Sequence, residues 1–256
     1  MTFAPVIDGV ILVKEFEPLR RYLQRELNRP VHFRVGSTYQ ETARQLIDGE
    51  VDFASLPPYI YLQTIDQNSD IGLLATTHFD GSSGTDGVLL VQETSGIQRI
   101  SDLKGKRICF SDRSSTTGYI LPRAFLKRKR MNPDRDFTEI VISGNHLQVM
   151  RDLSANKCDV GATFMGALTS ADQAEIPIAR TRILALTGRT PHDAICSGPK
   201  TETQDAERMR EVLLKFDPME HAGVQRLGTI ERLTGFAEGS AADYAPLRQA
   251  LKMEKK

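Results

Sequence analysis

Apolar and polar positions alternate along this chain in short blocks that switch period between two and about 3.6 residues. Val31 to Ser37 (VHFRVGS) alternates apolar and polar and then turns, which predicts a half-buried strand. In the next block, Ala43, Leu46 and Ile47 keep helical spacing, Gly49 can end the helix, and VDFASL reads as a short strand. Asp86 to Gln92 (DGVLLVQ) predicts a buried strand. A short turn or helix at Ser101 to Lys104, the break at Gly105 and a strand over Arg107 to Phe110 follow. Thr138 to Asn145 reads as a strand leading to a turn. Val149, Met150 and Leu153 then mark one side of a helix, and CDVGATF is a strand. Arg182 to Gly188 is another strand. Met209, Val212, Leu213 and Phe216 form the apolar stripe of an amphipathic helix. GTIERLTGF is a short segment, and DYAPLRQALKM predicts a last helix. Strands alternating with helices favour an α/β fold. One unit occurs twice, LIDGEVDFASL (Leu46 to Leu56) and LSANKCDVGATF (Leu153 to Phe164), which suggests two similar α/β lobes facing a shared cleft.

The sharpest local feature is Asp112 to Leu126, DRSSTTGYILPRAFL, with four consecutive hydroxyl residues, Ser114 to Thr117, ahead of Gly118. Two readings stand. A Ser or Thr at a helix start caps free N–H groups. A run of hydroxyls beside a Gly can also surround an anion at the positive end of a helix. Pro122 leaves the helix start open as well. Either the regular helix begins near Tyr119, or it begins at Ser115 and bends at the proline.

Composition narrows the function classes. The 256 residues suffice for one large domain or two lobes, with 40% apolar and 26% charged positions. Lys plus Arg and Asp plus Glu both number 33, and this balance argues against a nucleic-acid or membrane-surface role. The basic run Lys127 to Arg130 falls at a helix end, where cations suit the dipole. No apolar run approaches a membrane span, and the N-terminal stretch lacks the basic and apolar regions of an export signal. Cys109, Cys158 and Cys196 are far apart, odd in number and without zinc spacing. They read as packing residues, with no disulfide framework expected.

Five stretches together resemble the phosphate/phosphite/phosphonate solute-binding proteins of ABC importers, which have the type II periplasmic binding-protein fold. They are FEPLRRYLQRELNRPV, TYQETARQLIDGEVDFASLPPYIY, DLKGKRICFSDRSSTTGYILPRAFL, SGNHLQVMRDLSANKCDVGAT and LTGFAEGSAADYAPLR. The resemblance spans nearly the whole chain. It implies two lobes, each with a mixed sheet flanked by helices, joined by a two-strand hinge. Residues 1–86 and 192–256 would form the first lobe and 87–191 the second, with a small phosphorus oxyanion held between them. Ser115, Thr116 and Thr117 would hold the oxyanion, with Thr117 standing where the family usually has Ser.

Other positions carry over singly. Tyr39 matches a tyrosine whose hydroxyl faces the cleft. His146 matches a histidine that contacts the oxyanion, which it would favour when protonated. Asp193 matches an acid that can accept a hydrogen bond from a protonated ligand oxygen. Pro58 and Tyr59 lie on the loop where the first lobe should meet ligand. Each also has a plainer reading, as a packed aromatic, a helix-start histidine or a turn aspartate. Two departures stand out. Thr85 or Asp86 replaces a tyrosine often found before the first crossing strand. ATFMGAL, with Gly166, lacks the glutamate with which some relatives anchor a ligand amine.

The residue types of a hydrolase triad are present in Ser115, His146 and Asp193. The GxSxG elbow, HExxH and P-loop patterns are not, so no enzymatic activity, cofactor or metal is expected. The partners implied are a small anionic ligand and an ABC permease or a sensor protein, with a monomeric chain. The location implied is the periplasm if a signal peptide has been removed. A cytoplasmic ligand-binding domain of the same fold is the alternative.

Overall fold

The computed structural model describes residues 1–5, 9–228 and 232–254. Residues 229–231, part of the segment read at GTIERLTGF, lie outside these. In chain order the elements begin with β1 (Thr2–Phe3), α1 (Gly9–Glu15), α2 (Glu17–Leu27), β2 (Arg34–Val35), α3 (Tyr39–Ile47), β3 (Phe53–Leu56), α4 (Pro58–Gln67) and β4 (Gly72–Phe79). The middle of the chain supplies β5 (Gly84–Gln92), β6 (Arg107–Phe110), a π-helical turn (Thr116–Ile120), α5 (Leu121–Arg128), β7 (Glu139–Ile142), α6 (His146–Ser154), β8 (Val160–Phe164), α7 (Ala167–Gln173) and β9 (Thr181–Pro191). β10 (Ala194–Ser197), α8 (Thr203–Leu214), α9 (Pro218–Ala222), β11 (Leu233–Ala237) and α10 (Ala245–Glu254) complete it.

These elements form two compact units, Met1–Gly84 with Pro191–Tyr244, and Thr85–Thr190 with Ala245–Lys256. Unit 1 holds a six-stranded sheet in the order β11-β4-β10-β3-β1-β2. β1 runs parallel to β2 and β3, whereas β10 is antiparallel to β3 and β4. Its core is apolar and aromatic, with Phe3, Leu12, Phe16, Leu19, Leu23 and Phe216 buried together. The stripe Met209, Val212, Leu213 and Phe216 turns inward as its spacing requires.

Unit 2 holds a five-stranded sheet in the order β7-β6-β8-β5-β9. β6 is parallel to both β7 and β8, and β5 is antiparallel to β8. Two apolar layers cover its faces. One includes Leu89, Val91, Phe110, Phe125 and Leu126, and the other includes Val88, Leu90, Val149, Met150 and Leu153. The residues of β5 are therefore buried on both faces, which accounts for the unbroken apolar run VLLV.

Three expectations change. The strand read over Val31 to Ser37 pairs only at Arg34 and Val35, because the sheet edge reached by β2 is two residues long. The last helix, assigned by sequence to the first lobe, belongs to unit 2, where α10 packs on α5. Leu247 and Ala250 are buried and supply its apolar contact. The chain thus passes between the units three times, not twice.

The cysteine reading changes too. Cys109 on β6 and Cys158 ahead of β8 form a disulfide, with Cα atoms 5.7 Å apart, while Cys196 is free and buried. Sequence separation concealed this pair. β6 and β8 are adjacent parallel strands with Cys109 opposite Gly161, and that register brings Cys158 beside it. Among the described residues no helix is long and apolar enough to cross a membrane.

Candidate anion-binding site

In unit 2 the hydroxyl run follows directly on β6. Asp112 organises its start: its Oδ1 accepts the Ser114 N–H at 2.7 Å, and its carbonyl accepts the Ser115 N–H at 3.0 Å. Ser115 then caps the π-helical turn, its Oγ accepting the Gly118 N–H at 3.0 Å. The Ile120 N–H reaches the Ser115 carbonyl at 3.0 Å, a five-residue step that widens the first turn. Regular α-helix begins at Leu121 and places Pro122 in its first turn, where a missing N–H costs no hydrogen bond. Of the two helix starts that Pro122 left open, the structure follows the first, two residues past Tyr119, and a π-helical turn separates Ser115 from the regular helix.

Ser114, Ser115, Thr116 and Thr117 are all buried. Gly118 is required by crowding. A Cβ there would collide with the Ser111 hydroxyl, lie 2.8 Å from Ser111 Cβ and come 3.0 Å from His146 Cε1. Ser111 in turn ties the turn to the next loop. Its N–H donates to the Gly118 carbonyl at 3.2 Å, and its carbonyl accepts the Gly144 N–H at 2.7 Å. Its own hydroxyl is buried without a hydrogen-bond partner.

His146 opens α6, behind Asn145, whose side chain caps the helix by accepting the Gln148 N–H at 2.8 Å. Its Nε2 lies 3.3 Å from Ser115 Oγ, and its Nδ1 lies 2.9 Å from Thr163 Oγ1 on β8. Burial of the imidazole lowers its pKa to about 4. The ring is therefore neutral near pH 7, so it meets Ser115 as an imidazole and not as an imidazolium. Its tautomer decides what Ser115 can do. If Thr163 donates to Nδ1, Nε2–H donates to Ser115, whose own O–H is then directed outward.

The remaining sequence-derived residues lie in unit 1. Tyr39 is the first residue of α3 and is buried. Pro58 starts α4, and Tyr59 beside it is half-buried, its hydroxyl accepting from Gln63 Nε2 at 2.9 Å. Tyr39 and the Pro58–Tyr59 pair follow β2 and β3 at their carboxyl ends, the usual ligand edge of an α/β sheet.

Asp193 sits between β9 and β10, with Ser55 Oγ donating to its Oδ2 at 3.3 Å. Its main-chain carbonyl accepts the Thr77 N–H at 3.0 Å. A small cavity of about 20 Å³ adjoins it, lined by Ser55, Thr77 and aromatic residues that include Phe3, Phe16 and Phe79. That is room for about one water molecule.

Burial raises the Asp193 pKa to about 6, with the Ser55 hydrogen bond opposing. The folded state then binds this proton more tightly than the unfolded one. Its contribution is favourable below about pH 4 and is lost as pH rises through 6. His146 works in the opposite sense, since stability falls as pH drops from 6.5 toward 4. Asp193→Asn is therefore expected to stabilise the apo-protein at pH 7.5 by about 2 kcal/mol, allowing for the solvent that reaches the half-buried carboxyl, and by nothing at pH 4. Urea melts of both proteins at the two pH values check this, and equal stability at pH 7.5 would contradict it.

The structure brings Ser115 and His146 together beside Thr116 and Thr117 on one edge of the unit 2 sheet, and it groups Ser55 with Asp193 in unit 1. Sequence reasoning passed over Ser111, Thr163 and Ser55. Each ends or nearly ends a strand, and that position was the available signal.

The chain thus carries two α/β units, with four buried hydroxyl residues gathered at a helix start in unit 2. Comparison with known proteins makes the class specific. The family described as "ABC transporter, phosphonate, periplasmic substrate-binding protein" matches residues 1–244, and the chain belongs to it. The phosphate-import protein PhnD of Mycolicibacterium smegmatis is 25% identical over 169 residues, 62% of this chain and 53% of that protein. The chain thus spans about half the length of the curated relative it matches.

Among solved structures, PhnD1 from Prochlorococcus marinus in complex with methylphosphonate superposes with a TM-score of 0.87. It is 15% identical, with 100% of this chain and 97% of that one covered. A binding-protein component of an ABC phosphonate transporter from Pseudomonas aeruginosa gives a TM-score of 0.85 at 16% identity, covering 99% of this chain and 85% of that one. The fold is the type II periplasmic binding-protein fold, with two mixed sheets flanked by helices.

Proposed function

We propose that this chain captures a small phosphorus oxyanion, such as phosphate, phosphite or a small alkylphosphonate, and delivers it to an ABC permease outside the cytoplasm. The observation that carries this reading is the hydroxyl-lined π-helical turn whose first serine is tied to a neutral histidine. A helix start offers N–H groups that lack intrahelical acceptors, and the helix dipole favours an anion there. In the proposed bound state the Nε2–H tautomer of His146 turns the Ser115 hydroxyl toward the oxyanion, with Thr116 and Thr117 beside it. Tyr39, Pro58, Tyr59 and Asp193 are proposed as the ligand-facing residues of unit 1.

The known ligands of relatives point the same way, since one is named as a phosphate importer and another is seen with methylphosphonate. The disulfide supports a location outside the cytoplasm, because such bonds persist in oxidising compartments. Binding without catalysis is also favoured. The Nδ1 of His146 meets the Thr163 hydroxyl, not a carboxylate that would raise its basicity as in a hydrolase triad.

Thermal melts with phosphate, phosphite, methylphosphonate, 2-aminoethylphosphonate and sulfate test the proposal. A ligand present at a hundred times its Kd adds about 2.7 kcal/mol, or roughly 5–10 °C for a protein of this size. At least one phosphorus oxyacid is expected to do so. No shift with any of them, or an equal shift with sulfate, would overturn it.

A further inference from the structure

We propose that α10 holds the hydroxyl turn in its binding shape, with Leu247 as a positioning residue for the anion. The inference rests on the oxyanion reading above and deepens it. Two wide hydrogen bonds close the π-helical turn, from the Ile120 N–H to the Ser115 carbonyl at 3.0 Å and from the Leu121 N–H to the Thr116 carbonyl. Such turns are rare, because the tighter α-helical ring competes with the wide one at each residue. The surroundings must therefore select the wide form. One constraint is the close packing of Gly118 on Ser111.

The second constraint comes from the far end of the chain. α10 packs on α5 and also meets the π-helical turn itself. Ile120, Leu121 and Ala124, at the junction of the turn and α5, are buried, yet none of them belongs to either apolar layer on the sheet faces. Leu247 and Ala250 are buried too, and at a spacing of three they share one face of α10. That face is what α10 lays on the junction. The match to the family ends at residue 244, one residue before this helix, so the support comes from outside the matched part of the chain.

The dependence runs both ways. A helix of 10 residues is marginal in water by itself, so α10 owes its helical form to the apolar face it buries. The same burial fixes the start of α5 and the turn that leads into it. Where the turn is loose, only the fraction of molecules with the wide form binds the anion, and the apparent Kd is the intrinsic Kd divided by that fraction.

Calorimetry with phosphate and with methylphosphonate, together with amide hydrogen exchange, tests this on the full chain and on Leu247→Ala, Leu247→Met, Ala250→Gly and Ile176→Ala. Leu247→Ala should lower the competent fraction to roughly one tenth and weaken both anions alike, by about ten-fold. Its Ile120 and Leu121 amides, which close the turn, should exchange faster than in the wild-type protein and slow again when phosphate is saturating. Leu247→Met, which refills the space, should bind within about two-fold of wild type. Ala250→Gly removes one methyl from the same face and should cost about three-fold, which decides the matter if Leu247→Ala does not fold. Ile176→Ala is the control, since it opens the apolar layer to which α5 contributes no residue, and its affinity should stay within about two-fold of wild type. Wild-type affinity in folded Leu247→Ala, or in Ala250→Gly, would overturn the inference. An equal loss in Ile176→Ala would overturn it too, because α10 would then act only through overall stability. Failure of the wild-type protein to bind either anion would mark the oxyanion reading itself as wrong, and this inference with it.

Discussion

Ser115→Ala is expected to weaken phosphate or methylphosphonate binding by one to two decades while leaving a folded protein. The Ser115 hydroxyl serves the turn and the ligand at once. It accepts the Gly118 N–H at 3.0 Å and lies 3.3 Å from His146 Nε2. Its loss removes a cap, at a cost of about 1 kcal/mol of stability. It also removes a donor to a charged ligand, worth about 1.5–3 kcal/mol of binding, which sets the one to two decades in Kd. Thr116→Val separates the two effects, because it deletes a hydroxyl of similar volume without touching the cap. Calorimetry on both variants decides the matter. Unchanged affinity in both would reduce the run to helix capping, the plainer of the two readings that the sequence left open. Gly118→Ala should be at least as damaging, because the added methyl must displace Ser111, whose backbone links the turn to the loop ahead of His146.

The largest effect on stability is expected from the disulfide. Cys109 and Cys158 are separated by 49 residues, and a loop of that length restricts the unfolded chain by about 4 kcal/mol in the chain-entropy model. The replaced side chains are fully buried, so Cys109→Ala with Cys158→Ala adds lost packing to lost cross-linking. Denaturant melts of the double variant, or of the wild-type protein with and without reductant, should show a loss of several kcal/mol. The loss should fall on unit 2, because the bond joins β6, which leads into the hydroxyl turn, to the segment between α6 and β8. Free-thiol titration of protein secreted to an oxidising compartment should find one reactive thiol on unfolding, that of Cys196. Three thiols, with stability indifferent to reductant, would contradict the pairing and remove its support for a location outside the cytoplasm.

Much of this protein was legible from local pattern alone. The alternation of short strands and amphipathic helices and the glycine breaks depend on interactions within a few residues of chain. The hydroxyl run with its glycine is local in the same way, so its place at a helix start followed from sequence. Even the ambiguity at Pro122 was local. A π-helical turn resolved it by accommodating the hydroxyls first and placing the proline in the first turn of α5.

What tertiary structure decided involves residues far apart in the chain. The sulfurs of Cys109 and Cys158 meet because β6 and β8 pair in parallel with one register, and no spacing rule encodes that register. The protonation of His146 and Asp193 was unreadable for a related reason. Their residue types suggest a cation and an anion, but burial disfavours the charged form of each, lowering one pKa and raising the other. α10 joined unit 2 because α5 offered a surface for Leu247 and Ala250, although its sequence neighbours lie in unit 1. Sequence by itself determined the elements and the chemistry each could carry, since propensity, capping and periodicity act over one or two turns. Pairing, burial and charge state waited for the fold, because they depend on contacts between segments that the chain order keeps apart.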